Sequence, residues 1–278
     1  FARQIEQLAS LKADHGMEPV VTFDDGTRDV WLNAVPVLSR YGMPSILFCC
    51  SMPLLQRRLL NVTKAHMLQS KLGPPRFRAR FMAAMAEVNR PYATKIPAHI
   101  DPSRFCRYDT EEVREFKLLL NIKLPYPIVT ELLDDLFEKE FGSQEDAVQA
   151  IYMSTDEIKR ARDAGACIGL HTHSHFMLGR LSPAEQDAEV VASLEFFSNL
   201  LGQPLTDLSY PYGVEGTWND DTKSVMLRHG IQRAYTLERK IYDPAIHCDA
   251  FEIPRYDVND VFERGCGTCL LYTSPSPR

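Results

Sequence analysis

Apolar positions along the chain fall into two regimes. At the N-terminus "ARQIEQLASLKADHG" carries apolar residues at helical spacing, which predicts an amphipathic helix. A short apolar strand is predicted at 19–23, then a helix from Thr27 to Arg40 with Val30, Trp31, Ala34, Val35, Val37 and Leu38 as its apolar positions. Gly42 ends that pattern before a second strand, "SILFCC". The same alternation resumes after residue 150. Ser154 with Glu157 three positions on is a capping-box signature opening "STDEIKRARDAG", and Gly165 closes this helix before the strand "ACIGL". Ser182, Pro183 and Glu185 open the next helix in the same way, Gly202 ends it, and "TDLSYPYG" supplies a short strand and a turn. The helix "TWNDDTKSVMLRHG" and the strands "QRAYTL" and "AFEIPRYDV" complete the series. Repeated β-then-α units with short buried strands predict a parallel sheet, either open and doubly wound or closed as a barrel.

Between 53 and 149 the period changes. Segments such as "LLQRRLLNVTKAHMLQSKLG", "RFRARFMAAMAEVNR" and "IVTELLDDLFEKEFG" are helical and amphipathic, with prolines between them and no clear strands. This block is expected to be a helical insertion on one rim of the α/β body, its aromatic and aliphatic stripes serving as packing faces. The domain reading is therefore one catalytic unit over 1–268, with the α/β body from 1–52 and 150–268 and the insertion over 53–149. The last ten residues, "CLLYTSPSPR" at 269–278, resemble the in-frame translation of a sequencing adapter and are left out of the fold. The chain opens at Phe1 inside a helical pattern, so any leader or anchor would be missing from view, and no localisation is assigned.

Composition narrows the partners. The 278 residues are 45% hydrophobic and 24% charged, a globular balance that supports a sizeable core. A net charge of −6, from 31 basic against 37 acidic side chains without long runs of either sign, argues against nucleic acid and against a polybasic membrane anchor. A neutral or small ligand fits better. No apolar run approaches the roughly 20 residues of a membrane-spanning helix. The seven cysteines have no repeated metal-type spacing, and most read as buried thiols.

Two short stretches carry chemistry. "ACIGL" runs directly into His171, Thr172, His173, Ser174 and His175. Three imidazoles just past the C-terminal end of a parallel strand lie where such folds place their sites, and neutral imidazole is a common metal ligand. If the loop curls into a helical turn, His171 and His175 share a face and His173 points away; if it stays extended, all three share one. The second stretch is "VVTFDDG" at 20–26, where strand-forming residues give way to two adjacent carboxylates, Asp24 and Asp25, before Gly26. One carboxylate meeting two imidazoles at a sheet edge would leave coordination positions open, as in a catalytic metal site.

TFDDG followed by HTHSH resembles the metal-dependent polysaccharide deacetylase family, carbohydrate esterase family four, whose first two motifs read TFDDG and H-[ST]-x-x-H. The resemblance covers 19–50 and 150–258 and implies a distorted (β/α) barrel of about seven parallel strands. It implies Asp25, His171 and His175 as ligands of a divalent metal, zinc first, with cobalt, nickel or manganese as alternatives. Asp24 would be the general base, and the substrate an N-acetylated sugar or polysaccharide. From the third motif, here Ser209-Tyr210-Pro211-Tyr212-Gly213, the Tyr212 backbone N–H would serve the oxyanion, with Pro211, Tyr212 and Gly213 lining the substrate site. Ser209 stands where the family has the Arg that orients the base. Arg255, in "EIPRYDV" with Asp257 two residues on, is the substitute expected to pair with Asp24. The His that protonates the leaving amine has only His247 as a positional counterpart; His15, His66, His99 and His229 are read as surface or structural. Alternative readings are a metal-dependent hydrolase of a small cyclic amide, an amidohydrolase using His171 and His173 as its ligand pair, and a carbohydrate-binding homologue without turnover.

Overall fold

The computed structural model describes residues 1–15, 18–88, 101, 110–238, 249–257 and 261. Helix α1 (Ala2–His15) precedes strand β1 (Val21–Phe23), helix α2 (Val35–Tyr41) and strand β2 (Ser45–Cys49). Helices α3 (Met52–Gln56), α4 (Asn61–Leu72), α5 (Pro74–Ala86), α6 (Glu111–Leu118), α7 (Tyr126–Phe141) and α8 (Gln144–Ile151) form the predicted helical block. The alternation then returns with α9 (Thr155–Asp163), β3 (Cys167–Leu170), α10 (Pro183–Leu201), β4 (Asp207–Ser209), α11 (Asp220–Arg228) and β5 (Arg233–Tyr235).

All five strands are parallel and lie side by side in sequence order, β1-β2-β3-β4-β5. A doubly wound sheet would reverse direction from its middle, so this order selects the barrel type, seen here as a curled half-barrel. About seven strands were expected; the described residues contain five. The predicted strand "AFEIPRYDV" reduces to a single parallel bridge, Tyr235 to Ile253, flanked by hydrogen bonds from Ala234 N–H to the Ala250 carbonyl and from Thr236 N–H to the Ile253 carbonyl. Its Pro254 removes a ladder donor, which is a physical reason for the pairing to stop there.

Local sequence accounts for the elements. Ser154 with Glu157, and Ser182 with Glu185, form the predicted capping boxes, and Asn219 with Thr222 forms a third. The helix predicted from Thr27 instead carries a π-turn over Val30–Ala34 before α2 begins. Pro36 lacks the N–H that a regular ladder would use there, so the widened turn absorbs the break. The main core packs one face of the sheet, carrying Val21, Phe23, Leu47, Ile168, Leu170, Leu208 and Ala234, against Ile5, Leu38, Ile158, Val190, Phe197 and Val225 from the helices. The insertion has its own core around Leu68, Phe77, Phe81, Phe116 and Leu133, so it packs as a helical unit beside the sheet. Gly169 in β3 permits one close approach: a Cβ there would fall 2.5 Å from the Phe48 ring. The Phe48 ring thereby crosses β3 and lies 5.5 Å beneath the Arg255 guanidinium.

Candidate metal centre

The C-terminal ends of β1 and β3 face one another across β2. Past Phe23 the chain passes Asp24 and turns sharply, with Asp25 at φ +70° and Gly26 at φ +75°. Gly26 is required twice, because a side chain would be strained at that φ and its Cβ would sit 3.1 Å from Cys49 Sγ. Past Leu170, the His171 N–H extends the ladder by bonding the Cys49 carbonyl at 3.0 Å. Thr172 (φ +63°) and His175 (φ +60°) then fold the loop back, and the His175 N–H bonds Thr172 Oγ1 at 3.1 Å. Of five non-glycine residues with positive φ among the described residues, four lie here: Asp25, Thr172, His175 and Tyr212 (φ +66°). Each costs of order 1–3 kcal/mol and persists only where its surroundings over-determine it.

That turn brings three ligand atoms together. Asp25 Oδ1 lies 3.5 Å from His171 Nε2 and 3.3 Å from His175 Nε2, and the donor atoms all fall within 4.8 Å of one another. His171 Nδ1 bonds the Ser209 carbonyl at 2.8 Å. A carbonyl only accepts, so Nδ1 carries the proton and Nε2 presents its lone pair towards Asp25. Burial brings His175 down to about 4, with His171 pushing the same way and Asp25 opposing, so its ring is neutral at physiological pH. Asp25 Oδ1 is buried with no hydrogen-bond partner. An orphaned carboxylate oxygen facing two imidazole nitrogens is costly alone and suits a shared cation, so these residues fit a divalent metal.

The neighbouring carboxylate is fully occupied. Arg255 grips Asp24 through two bonds, Nη1 to Oδ1 at 2.8 Å and Nη2 to Oδ2 at 2.9 Å. Arg255 itself is 1% exposed and is held by the Thr236 carbonyl and Thr22 Oγ1. Ser209 Oγ donates to Asp24 Oδ2 at 3.3 Å and accepts from Arg255 Nη2 at 2.7 Å. Burial alone would raise the Asp24 carboxyl, but Arg255, with His171 and His175 behind it, holds it well below the usual carboxylate range. Ser209 therefore touches both halves of the site, orienting His171 with its carbonyl and Asp24 with its hydroxyl.

The remaining predicted residues fall as follows. His173 points away: its Nδ1 lies 2.8 Å from Ser51 Oγ and its Nε2 3.0 Å from Gln56 Nε2, so the His171 and His173 pair does not converge. The Tyr212 ring packs edge-on against His175 at 5.0 Å, between Pro211 and Gly213. His229 bonds Asp187 at 2.9 Å away from this cluster, and His66 is exposed on α4. His99 and His247 lie outside the described residues, as does the His15 side chain. Two contributors carried no signal in the sequence. Glu189 on α10 accepts the N–H groups of His173 (3.0 Å) and Ser174 (2.7 Å), pinning the histidine loop. Asn121, from the insertion, accepts the Tyr212 hydroxyl at 2.9 Å.

The strand ends of this parallel half-barrel thus carry an Asp-His-His corner that could hold a metal ion beside an Arg-held carboxylate. Residues 137–234 match the family model described as polysaccharide deacetylase. That segment contains His171, His175 and Tyr212 but not Asp24, Asp25 or Arg255. A provisionally named polysaccharide deacetylase of Bacillus subtilis (strain 168), YxkH, is 30% identical over 87 residues, which cover 31% of this chain and 30% of that protein. Among solved structures, the Streptococcus pyogenes deacetylase PplD in complex with acetate is similar at TM-score 0.48 and 14% identity, covering 90% of this chain and 70% of that one. IcaB from Ammonifex degensii is similar at TM-score 0.49 and 15% identity, covering 92% and 82%. Likeness at that level does not define a substrate.

Proposed function

We propose that the chain is a metal-dependent hydrolase that removes N-acetyl groups from an N-acetylated sugar or polysaccharide, acting as one catalytic unit over 1–268. The observation that carries this reading is the pairing of an orphaned Asp25 Oδ1 facing two imidazole Nε2 atoms with an adjacent, Arg-held Asp24. A divalent cation held by Asp25, His171 and His175, zinc being the first choice for this donor set, would lower the pKa of a water from about 15.7 towards about 7 and polarise the acyl oxygen.

The chain's own residues do the rest. Asp24, kept ionised by Arg255 and Ser209, accepts the proton of the attacking water as the acyl carbon becomes tetrahedral. The Tyr212 N–H, in a turn fixed by the Gly213 carbonyl accepting from Leu237 N–H, would donate to the oxyanion. Cleavage of the C–N bond, with the proton taken up by Asp24 passed to the leaving nitrogen, then releases acetate and a free amine. The test is acetate release from a panel of N-acetylated oligosaccharides by the purified protein, with and without chelator, and with Asp24→Asn. Release abolished by chelator and by the substitution is expected. Release that survives both overturns the mechanism, and metal and sugar binding without release makes the chain a carbohydrate-binding homologue.

A further inference from the structure

The helical insertion does not merely sit on the rim. Between α6 and α7 it makes a π-turn, Leu119–Lys123, which ends where Leu124 turns extended. A π-turn widens the helix and loosens its carbonyl ladder, and such turns concentrate at functional sites. Here the freed carbonyls are taken by Arg180, five residues past His175: its Nη1 bonds the Asn121 carbonyl and its Nη2 the Leu124 carbonyl at 2.9 Å. The guanidinium also lies 4.4 Å over the Tyr126 ring, Tyr126 stacks on Phe176 at 4.0 Å, and the Tyr126 hydroxyl accepts the Met177 N–H at 2.9 Å. The π-turn is thus bolted to the segment that follows the histidine loop.

One side chain of that turn reaches further. Asn121 Oδ1 accepts the Tyr212 hydroxyl at 2.9 Å, while Leu118, Ile122 and Met177 pack under Tyr212 and Val214. The other side of the Tyr212 turn is held by Leu237 N–H bonding the Gly213 carbonyl. Tyr212 is a non-glycine residue in a left-handed conformation, so its backbone direction depends on such grips.

We propose that the insertion is a working part of the active site and that Asn121 is a positioning residue: it holds the Tyr212 side chain, and through it the Tyr212 peptide N–H, in the orientation used at the oxyanion. This rests on the deacetylase reading above. An oxyanion donor acts in the transition state, so loss of its alignment should fall on kcat and leave KM nearly unchanged.

The experiment compares wild type, Asn121→Ala, Asn121→Asp, Tyr212→Phe and the double variant Asn121→Ala/Tyr212→Phe. Acetate release is normalised to the fraction of protein that binds Zn²⁺ by titration calorimetry, which removes losses from misfolding. We expect Asn121→Ala and Tyr212→Phe each to lower kcat by about tenfold with KM within twofold and Zn²⁺ affinity unchanged, because both break the same contact. The double variant should be no worse than either single one, the signature of a shared interaction. Asn121→Asp keeps an acceptor for the hydroxyl and should recover most of kcat. An Asn121→Ala protein within twofold of wild type overturns the proposal, as does an effect that multiplies on the Tyr212→Phe background. Wild type that binds Zn²⁺ yet releases no acetate from any substrate overturns the deacetylase reading and this proposal together.

Discussion

Asp24 and Asp25 are adjacent in the chain and opposite in circumstance. Every oxygen of Asp24 has a partner, two from Arg255 and one from Ser209, whereas Asp25 Oδ1 is buried with none and faces two imidazole nitrogens. The difference comes from one backbone step: the left-handed turn at Asp25 swings its side chain towards β3, while Asp24 continues from β1 towards the Arg255 segment. An opposite charge keeps the first carboxylate ionised, and a vacancy in hydrogen bonding suits the second to the ligand role proposed for it. One strand end therefore supplies two roles that a lone carboxylate could not combine.

The two roles should separate under mutation. Asp25→Ala is expected to lower Zn²⁺ affinity by more than about 100-fold, beyond what loss of an outer-shell partner causes. Asp24→Asn should retain the metal and lose about 10²–10⁴ in kcat, the range of a general base. Calorimetric Zn²⁺ titration and acetate release measured on both variants check this. Equal loss of metal by both variants would collapse the distinction between the two carboxylates.

Arg255→Met sharpens the Asp24 half. Removing the guanidinium leaves a largely buried carboxylate unpaired, with an expected cost of about 3–5 kcal/mol in unfolding free energy. The sign with pH follows from the depressed value of Asp24. Its contribution is present above the unfolded carboxylate range, near about 3.9, and is lost as pH falls through the lower folded value. The gap between wild type and Arg255→Met should therefore narrow below about pH 4 in denaturant titrations. A gap independent of pH would show that Arg255 matters through packing on Phe48 rather than through Asp24.

How much of this was legible in the sequence follows from where the information sits. Asp24, Asp25 and the three histidines are contiguous at strand ends, so residue types and predicted strands suffice to nominate them. The strand order confirms the barrel side of the fold reading, while of the about seven expected strands the described residues contain five and reduce "AFEIPRYDV" to a single bridge. The choice of His175 over His173 came from the H-[ST]-x-x-H motif and not from the pattern, because it depends on left-handed turns at Thr172 and His175 that no hydrophobic period records. Arg255 could be nominated from its place at a strand end. Glu189 could not, because its carboxylate lies in the middle of a helix whose pattern reads as ordinary, and Asn121 could not, because a π-turn has no signature in binary patterning.

His173 tests the Asp25 half more gently. Its ring bonds Ser51 and Gln56 rather than the ligand cluster, so His173→Ala should lower Zn²⁺ affinity by no more than about tenfold, as an outer-shell change does. A loss as large as that for His175→Ala would return the His171 and His173 pair as ligands.

The smallest expected effect lies at the start of α10. Ser182 Oγ accepts the Glu185 N–H, and the Glu185 carboxylate accepts both the Ser182 N–H at 2.8 Å and its hydroxyl at 2.7 Å. Ser182→Ala should cost about 1 kcal/mol, the usual value of an N-cap. Those bonds, the hydroxyl's first, hold Glu185 below the ordinary carboxylate range. Its stabilising share is present above about 4.3 and fades as pH falls, so the deficit of the variant should shrink in acid. Glu189 sits more than one turn further along the same helix, beyond the reach of fraying at the cap, so Zn²⁺ affinity should not move. If it does move, the histidine loop is coupled to the helix start, and the Asp25 corner is less self-contained than the Asp24 pair beside it.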